Sequence, residues 1–290
     1  MKTFFKNFTP ADKLNFYFIL FLQLILLIWN KNIENSSLFL GINTFFLTYL
    51  ILICNKERSG KNKILTFLQL WYPVLFIPII FTQFRFIIPG VRNHDMDLFL
   101  LKLDRIIFGE DPSILVEKFL NPFFVDILQL SYSFFYFIPL ITGIYIVYKR
   151  KFEEYDFFYF YICYGFFLSY LGYLMIPAIG PRFILKDFYT VPIQGHFIYK
   201  FLITLQNSIE KIHRDCFPSG HTMVVLMVLY YNFKRYKKLF YIFLVPSIFL
   251  LMATIFLRYH YFVDLIGGIL FFLFVLITAR PLWRFFRENL

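Results

Sequence analysis

The chain has 290 residues, of which 59% are hydrophobic, 23% are aromatic and only 16% are charged. A soluble domain carries about 25% charged and about 45–50% apolar residues, so this composition argues against a soluble enzyme and a disordered protein, and is typical of a polytopic membrane protein. The net charge of +11 lies mainly in short segments between apolar runs, which indicates residues that orient a membrane protein rather than a nucleic-acid-binding surface.

Eight apolar runs are long enough, or nearly so, to cross a bilayer as helices, which need about 20 residues. Polar residues do not alternate with the apolar ones, so the runs predict helices rather than the strands of a barrel. They lie at 14–29, 38–54, 64–81, 122–148, 157–176, 219–231, 239–257 and 261–278. We therefore expect an all-α, polytopic membrane helix bundle.

The distribution of Lys and Arg predicts the orientation of this bundle. With the N-terminus in the cytoplasm, the inside segments hold 17 basic residues and the longer outside segments hold 12. The positive-inside rule therefore favours two cytoplasmic termini. No cleavage site follows the first apolar run, which we interpret as a retained anchor. Residue usage and the lack of a long soluble tail lead us to expect a bacterial inner membrane.

The segment 95–120 has apolar residues at helical spacing with acidic and basic residues between them. It predicts an amphipathic helix that either lies on the outer membrane surface or packs on the bundle as a connecting helix, and the sequence favours neither. Gly109 and Pro112 interrupt it. A second acidic feature is Asp126, which follows Asn121-Pro122 and is interpreted as a capping or dipole-favoured carboxylate.

Metal and disulfide chemistry have little support. Cys54, Cys163 and Cys216 are far apart in the expected topology, so we predict no disulfide and no cysteine-based metal site. The remaining ionisable residues near the spans are few, and because such groups are costly at membrane depth they indicate function.

Three short segments carry these residues. Pro218-Ser219-Gly220-His221-Thr222 opens the sixth span, where free backbone N–H groups at a helix start can bind phosphate. In Arg258-Tyr259-His260-Tyr261-Phe262-Val263-Asp264, the spacing of four places His260 and Asp264 on one helix face, so the carboxylate can hold one ring nitrogen and leave the other free. Pro177-Ala178-Ile179-Gly180-Pro181-Arg182 ends the fifth span.

Each segment alone has an ordinary structural explanation: a helix cap, a structural His–Asp pair and an interfacial arginine. The expected topology, however, brings all three to the outer face. Two histidines, two arginines and one aspartate gathered there indicate phosphoryl transfer through a phosphohistidine, with neither a metal nor a cofactor.

The sequence resembles the type-2 phosphatidic acid phosphatase superfamily, which includes vanadium-dependent haloperoxidases. The Pro-Ser-Gly-His tetrad and the His-x-x-x-Asp ending match its second and third motifs. The resemblance covers 64–278 and implies a six-helix core at 64–290, preceded by a two-span extension at 1–63.

The pattern looks closest to the inositol phosphorylceramide synthase (aureobasidin-resistance) branch. That branch shows Gly-Pro-Arg, a Tyr-His-Tyr-x-x-Asp ending and a stretch like Asp104-Arg-Ile-Ile-Phe-Gly109. The sequence departs from the common superfamily motifs at Met175, which replaces a Lys, at Phe183, which replaces a Pro, and at Ala253-Thr254, which replaces Ser-Arg.

The resemblance implies a role for each site residue. His260 is the expected nucleophile, Asp264 orients it, and His221 is the general acid and then the base. Arg182, Arg258, Ser219 and Gly220 are expected to hold the phosphate oxygens. His94, His196 and His213 match no motif, and we expect no direct role for them.

The leading hypothesis is an integral-membrane enzyme that cleaves a phospholipid or lipid phosphate at the outer face. A lipid alcohol acceptor makes it a headgroup phosphotransferase, with a sphingolipid as one candidate, and water as acceptor makes it a lipid phosphate or polyprenyl diphosphate phosphatase. The branch resemblance slightly favours transfer. A transporter is a distant alternative, and a catalytically dead scaffold is disfavoured by the intact His-His-Asp set.

Overall fold

The computed structural model describes residues 5–58, 62–209 and 214–288, with the side chains of 206–209 left aside. Over these ranges the chain is helical and has no β-strand, as the sequence predicts. The longer helices are α1 (Pro10–Ile28), α2 (Ser36–Tyr49), α3 (Lys63–Trp71), α4 (Pro73–Val91), α5 (Asp97–Phe108), α7 (Pro122–Ser133), α8 (Phe137–Tyr148), α9 (Phe152–Met175), α11 (Phe197–Ile209), α12 (Gly220–Arg235), α13 (Lys237–Phe256) and α14 (Phe262–Glu288). Short helices α6 (Pro112–Leu115) and α10 (Pro181–Ile184) lie in connections.

Seven continuous helical stretches in the described residues are long and apolar enough to cross a membrane. They are Pro10–Ile28, Ser36–Cys54, Lys63–Val91, Pro122–Tyr148, Phe152–Met175, Lys237–Phe256 and Phe262–Glu288. The protein is therefore an integral membrane helix bundle, and seven of the eight predicted spans correspond to these stretches.

The sixth predicted span is α12, which has 16 residues and is shorter than the other seven. It packs between α9, α13 and α14. The ring of His221, at the start of α12, is a neighbour of the His260 ring, in the loop that follows α13. The start of α12 therefore lies beside the end of α13, and the two helices run antiparallel. Burial among longer helices explains how a helix of about 24 Å can cross the bundle.

Local signals in the sequence start several of these helices. At α1 the Thr9 side chain and Asp12 form a capping box, and Pro10 occupies the first turn. At α7 the Asn121 side chain accepts a hydrogen bond from the Phe124 N–H, and Pro122 follows it. These caps supply partners for backbone N–H groups that have none within the helix.

The first two helices pack directly on the rest of the bundle. The Phe18 ring stacks on the Phe167 ring of α9 with centroids 3.8 Å apart. Asp12 accepts hydrogen bonds from Arg58 at 2.6 Å and from the Tyr72 hydroxyl at 2.8 Å. Thus polar contacts fix α1 to Arg58 and to Tyr72, which precedes α4, while the division into an extension at 1–63 and a core at 64–290 stays a prediction.

Helix α5 packs on the bundle, which is one of the two arrangements that the sequence left open for 95–120. Asp97, Leu100, Leu101 and Asp104 face the bundle and are buried. Leu98 and Ile106 point away from it and are exposed. The helix is therefore packed on the bundle, and it also presents an apolar face outward.

Candidate active site

The structure brings the three predicted segments together at one end of the bundle. The Ser219 N–H donates to the Asp264 carbonyl oxygen at 2.9 Å, which joins the starts of α12 and α14. The Arg182 N–H donates to the Arg258 carbonyl oxygen at 3.1 Å, which joins the turn after α9 to the loop before α14. Residues that are far apart in sequence thus form one site.

Ser219 is the N-cap of α12. Its Oγ accepts from the Thr222 N–H at 3.2 Å and from the Thr222 hydroxyl at 3.0 Å. The hydroxyl proton of Ser219 is therefore the one available for donation. Next to it, a Cβ at Gly220 would collide with the Tyr173 hydroxyl, so glycine is needed there for close packing. An anion that approaches the Gly220 backbone, as the sequence predicts, would therefore have the Tyr173 hydroxyl beside it.

His260 is buried and its orientation is fixed through Nδ1. This atom lies 3.0 Å from the Cys216 carbonyl oxygen and 3.3 Å from Asp264 Oδ2. A carbonyl oxygen only accepts, so Nδ1 carries the proton, and in the neutral ring the lone pair belongs to Nε2. Asp264 is positioned in turn by the Tyr261 N–H, which donates to Oδ2 at 2.8 Å. This geometry provides a nucleophilic nitrogen with a defined direction.

His221 stands at the start of α12 among aromatic rings. Its ring centroid is 4.4 Å from Tyr132 and 4.3 Å from Phe135, and 5.8 Å from His260. Its Nε2 is buried and has no hydrogen-bond partner within the described part of the chain. A buried polar atom without a partner costs about 1–3 kcal/mol, so the site has an unfilled hydrogen-bonding position that a substrate can occupy.

Arg182 follows a turn that only glycine accommodates easily. Gly180 has φ +95°, and a Cβ there would lie 2.8 Å from Cys216 Sγ and 2.9 Å from the Tyr259 carbonyl oxygen. The Arg182 guanidinium lies 5.8 Å from the centre of the Tyr259 ring. It forms no ion pair with any carboxylate in ranges 5–58, 62–209 and 214–288, and this leaves its charge available for a phosphate.

The guanidinium of Arg258 is expected to hold phosphate oxygens, but in the structure it contacts groups of the protein itself. It donates to Glu117 Oε2 at 3.3 Å and to the Val191 carbonyl oxygen, and it lies 3.6 Å from the centre of the Tyr189 ring. Burial lowers the pKa of Arg258, although the Tyr189 and Glu117 side chains oppose this effect. In this structure Arg258 joins three loops beside the site.

Glu117 completes this set of contacts. Its carboxylate accepts from the Thr190 hydroxyl at 2.5 Å and from the backbone N–H of Thr190 and Val191. Burial raises the pKa of Glu117, but these hydrogen bonds and the charge of Arg258 outweigh it, so its pKa lies below the ordinary value. The ionised form therefore holds the loops.

Two further carboxylates on α5 support the site, and the sequence analysis assigned them no role. Asp97 accepts from the Ile179 N–H at 3.0 Å, the Gly180 N–H at 2.8 Å and the Tyr261 hydroxyl at 2.9 Å. Asp104 accepts from the backbone N–H groups of Phe262 and Val263 at 2.8 and 2.9 Å. Their spacing of seven residues, which places both on one helix face, was the available signal.

The structure refines the interpretation of Asp126 as a capping or dipole-favoured carboxylate. It is a capping carboxylate, but it caps α11 rather than its own helix, which Asn121 caps. Its oxygens accept from the Tyr199 N–H at 2.8 Å and the His196 N–H at 3.2 Å, and lie 3.0 Å from His196 Nδ1. His94 is exposed, and His213 lies outside the described residues.

One group in the described residues has donor atoms close enough to hold a metal ion. It consists of Cys216, His260 and Asp264, with ligand atoms within 4.8 Å of one another. The cysteine spacing did not predict this grouping. His260 Nδ1 already donates to the Cys216 carbonyl oxygen, so metal binding there would require loss of that hydrogen bond. The contacts favour an orienting role for Asp264.

The match to a family model decides the family. Residues 98–278 match the model described as the PAP2 superfamily, and this range is more than half of the chain. The chain belongs to the PAP2 superfamily. Membership supports a membrane enzyme that acts as a lipid phosphatase or phosphotransferase, and confirms the predicted superfamily. No curated protein and no solved structure matches the chain.

Gly268→Ala tests the contact between α12 and α14. The added methyl group would lie 2.6 Å from the Ser219 carbonyl oxygen and 2.9 Å from Thr222 Cβ, which forces the helices apart at the site. We expect a loss of about 1–3 kcal/mol in stability and a larger loss of turnover. Gly41→Ala in α2 is the control, since its Cβ has no neighbour within 4 Å. Equal thermal stability and turnover in both variants would contradict the role of this contact.

The pH dependence of stability tests Asp104. Burial raises its pKa to about 6, although the Phe262 and Val263 N–H groups oppose this. The folded protein thus binds the proton more tightly than the unfolded chain, whose aspartate pKa is about 3.9, and this group contributes less stability as the pH rises from 4 to 6. The stability of the wild type relative to Asp104→Asn should fall by up to about 3 kcal/mol over that interval. A difference in melting temperature that is constant from pH 4 to 7 would refute the shift.

Proposed function

We propose that the protein is a lipid headgroup phosphotransferase that works through a phosphohistidine at the outer membrane face, as its resemblance to inositol phosphorylceramide synthase suggests. The observation that carries this proposal is the pair of histidines: His260 has Nδ1 fixed by acceptors, and the unpartnered Nε2 of the neighbouring His221 is available to a substrate. The two cytoplasmic termini, supported by the distribution of basic residues, are part of the same proposal. So is the bacterial inner membrane, for which residue usage is the support.

The chemistry follows from these positions. His260 Nε2 attacks the phosphorus atom, an N–P bond forms, and the bond from phosphorus to the leaving oxygen breaks. His221 donates a proton to that oxygen. In the second half, neutral His221 takes the proton of an acceptor hydroxyl, whose oxygen attacks phosphorus as the N–P bond breaks. Asp264 stabilises the positive charge that His260 gains through Nδ1–H.

The phosphate oxygens need cationic and hydrogen-bonding partners while charge moves. Arg182 supplies a guanidinium without a carboxylate partner in the described ranges, and Ser219 supplies a hydroxyl proton. Arg258 contributes indirectly, because its carbonyl oxygen holds the Arg182 backbone. We assign the phosphate to Arg182 and Ser219 on these grounds.

A cavity in the bundle supports a substrate with a long apolar chain. It has a volume of about 250 Å³ and lies between α4, α8 and α9, with Ile77, Pro78, Leu140, Phe158 and Ile162 among its lining residues. Phe135 also lines it, and the same ring contacts His221. A lipid phosphate at the histidines could place its chain along this cavity.

Hydrolysis is the second candidate, because PAP2 superfamily membership supports a phosphatase or a phosphotransferase. The same histidines serve both reactions, and the acceptor decides between them. Water gives a lipid phosphate or polyprenyl diphosphate phosphatase, and a lipid alcohol gives a transferase.

The test is turnover by the purified protein in lipid micelles with EDTA present. Phosphatidate, a polyprenyl diphosphate and phosphatidylinositol are offered with and without ceramide as acceptor. We expect a new phospholipid only when the acceptor is present, and loss of at least 100-fold in turnover for His260→Ala and His221→Ala. His94→Ala, at an exposed histidine, is the matched control and should keep full turnover.

Other outcomes lead to other conclusions. Release of free phosphate without an acceptor would replace the transferase assignment by a phosphatase. Loss of all activity in EDTA, with recovery on adding a divalent ion, would overturn the metal-independent reaction. Activity that survives His260→Ala would overturn the phosphohistidine.

A further inference from the structure

We propose that α11, together with the outward face of α5, lies in the lipid interface of the leaflet on the catalytic side and binds the bilayer surface there. This inference depends on the membrane-spanning fold and not on the reaction proposed above. The partner is a lipid surface, and the site is a pair of helices that flank the histidines.

The first observation is the exposure of large apolar side chains on α11. Phe197 is 79% exposed and Phe201 is 58% exposed, and Leu205 is also exposed. The spacing of four residues places all three on one face of the helix. Lys200 is exposed beside that face. An apolar stripe with a basic residue at its edge is typical of helices that lie in the plane of a membrane.

The second observation fixes the depth of α11. Its N-terminus is capped by Asp126, which lies four residues after Pro122 at the start of α7. Four residues of α-helix span about 6 Å, so α11 begins at the level of the first turns of a membrane-spanning helix. Gly195 permits this close approach, because a Cβ there would lie 2.7 Å from Asp126 Oδ1. In-plane helices bury their apolar face about 5–10 Å into the interface, which agrees with this level.

Helix α5 also has an exposed apolar face and lies at the level where a membrane-spanning helix begins. Leu98 is 75% exposed and Ile106 is 68% exposed, while the buried side of the helix carries Asp97 and Asp104. Asp104 caps the first turn of α14, and the Phe108 ring lies 4.7 Å from the Phe262 ring, so the end of α5 is level with the start of another spanning helix. The two buried carboxylates of α5 therefore contact the protein, and its exposed apolar side chains remain for lipid.

Charge and contacts favour lipid over a soluble partner. Lys102 of α5 is exposed next to its apolar face, as is Lys200 on α11, and basic residues at this level attract anionic headgroups. Tyr199, on the opposite side of α11, packs against the aromatic and aliphatic cluster that contains Tyr132 and Tyr259. One side of α11 therefore packs against the site, and the opposite side is the one that contacts lipid.

The experiment measures depth rather than activity. Single cysteines replace Phe201 and Ile106, are spin-labelled, and are reconstituted in vesicles of phosphatidylethanolamine and phosphatidylglycerol. The native cysteines are buried, so the new thiols label selectively. Phe274→Cys, on the exposed face in the middle of α14, is the lipid reference, and His94→Cys is the aqueous reference.

Accessibility to oxygen and to a soluble nickel complex gives the depth of each label. We expect both labels to lie between the two references, about 5–10 Å below the lipid phosphates. Values equal to those at His94 would overturn the proposal. Dipolar broadening between labels at Phe201, relieved by dilution with unlabelled protein, would instead show a second copy on this face and would also overturn it.

Discussion

The hydrogen bond from the Ser219 N–H to the Asp264 carbonyl oxygen joins the two helix starts on which the site depends. One end of it belongs to α12, which carries His221, and the other to α14, which carries Asp264 and follows His260. Gly268 allows the helices to approach closely enough for this bond, since its missing side chain would meet the Ser219 carbonyl oxygen. The distance between the two histidines is therefore a consequence of helix packing, and the rest of the site is built around it.

Buried carboxylates hold the surrounding loops in place. Asp97 and Asp104 accept backbone N–H groups from the turn before Arg182 and from the start of α14, and Glu117 does the same for the loop at 190–191. A buried carboxylate is stable only when such donors surround it. Each of these acids therefore depends on the loop that it orders. This reciprocity lets short loops without regular structure present Arg182 and His260 in defined positions.

The sequence predicted those features that depend on neighbours along the chain. Hydropathy identified the membrane-spanning stretches, and the spacing of His260 and Asp264 predicted their hydrogen bond. The predicted shared helix face was wrong, because His260 lies in the loop before α14 and only Asp264 lies on the helix. Asn121-Pro122 marked the start of α7. The short run at 219–231 also predicted a short sixth helix, and α12 extends four residues beyond it to Arg235.

Other features were not predictable, because their partners lie far away in sequence. Asp104 accepts N–H groups from residues more than 150 positions later, and its spacing from Asp97 places both on one helix face without identifying these partners. The resemblance implies that Arg258 holds phosphate oxygens, and its contacts with Glu117, Tyr189 and Val191 could not be predicted because only the fold defines the positions of those loops. Asp126 was recognised as a cap, but the helix that it caps was not.

The most direct test of the phosphohistidine is to isolate it. The protein is mixed with a lipid that carries a labelled phosphate, in the absence of acceptor. It is then digested under alkaline, acid-free conditions, in which a phosphohistidine is stable, and its peptides are mapped by mass spectrometry. We expect one acid-labile phosphate on the peptide that contains His260. It is lost when the acceptor is added, and it accumulates in the wild type, in which Ser219 and Arg182 are intact. Label on another residue, or turnover of the lipid with no labelled protein at any time point, would contradict it.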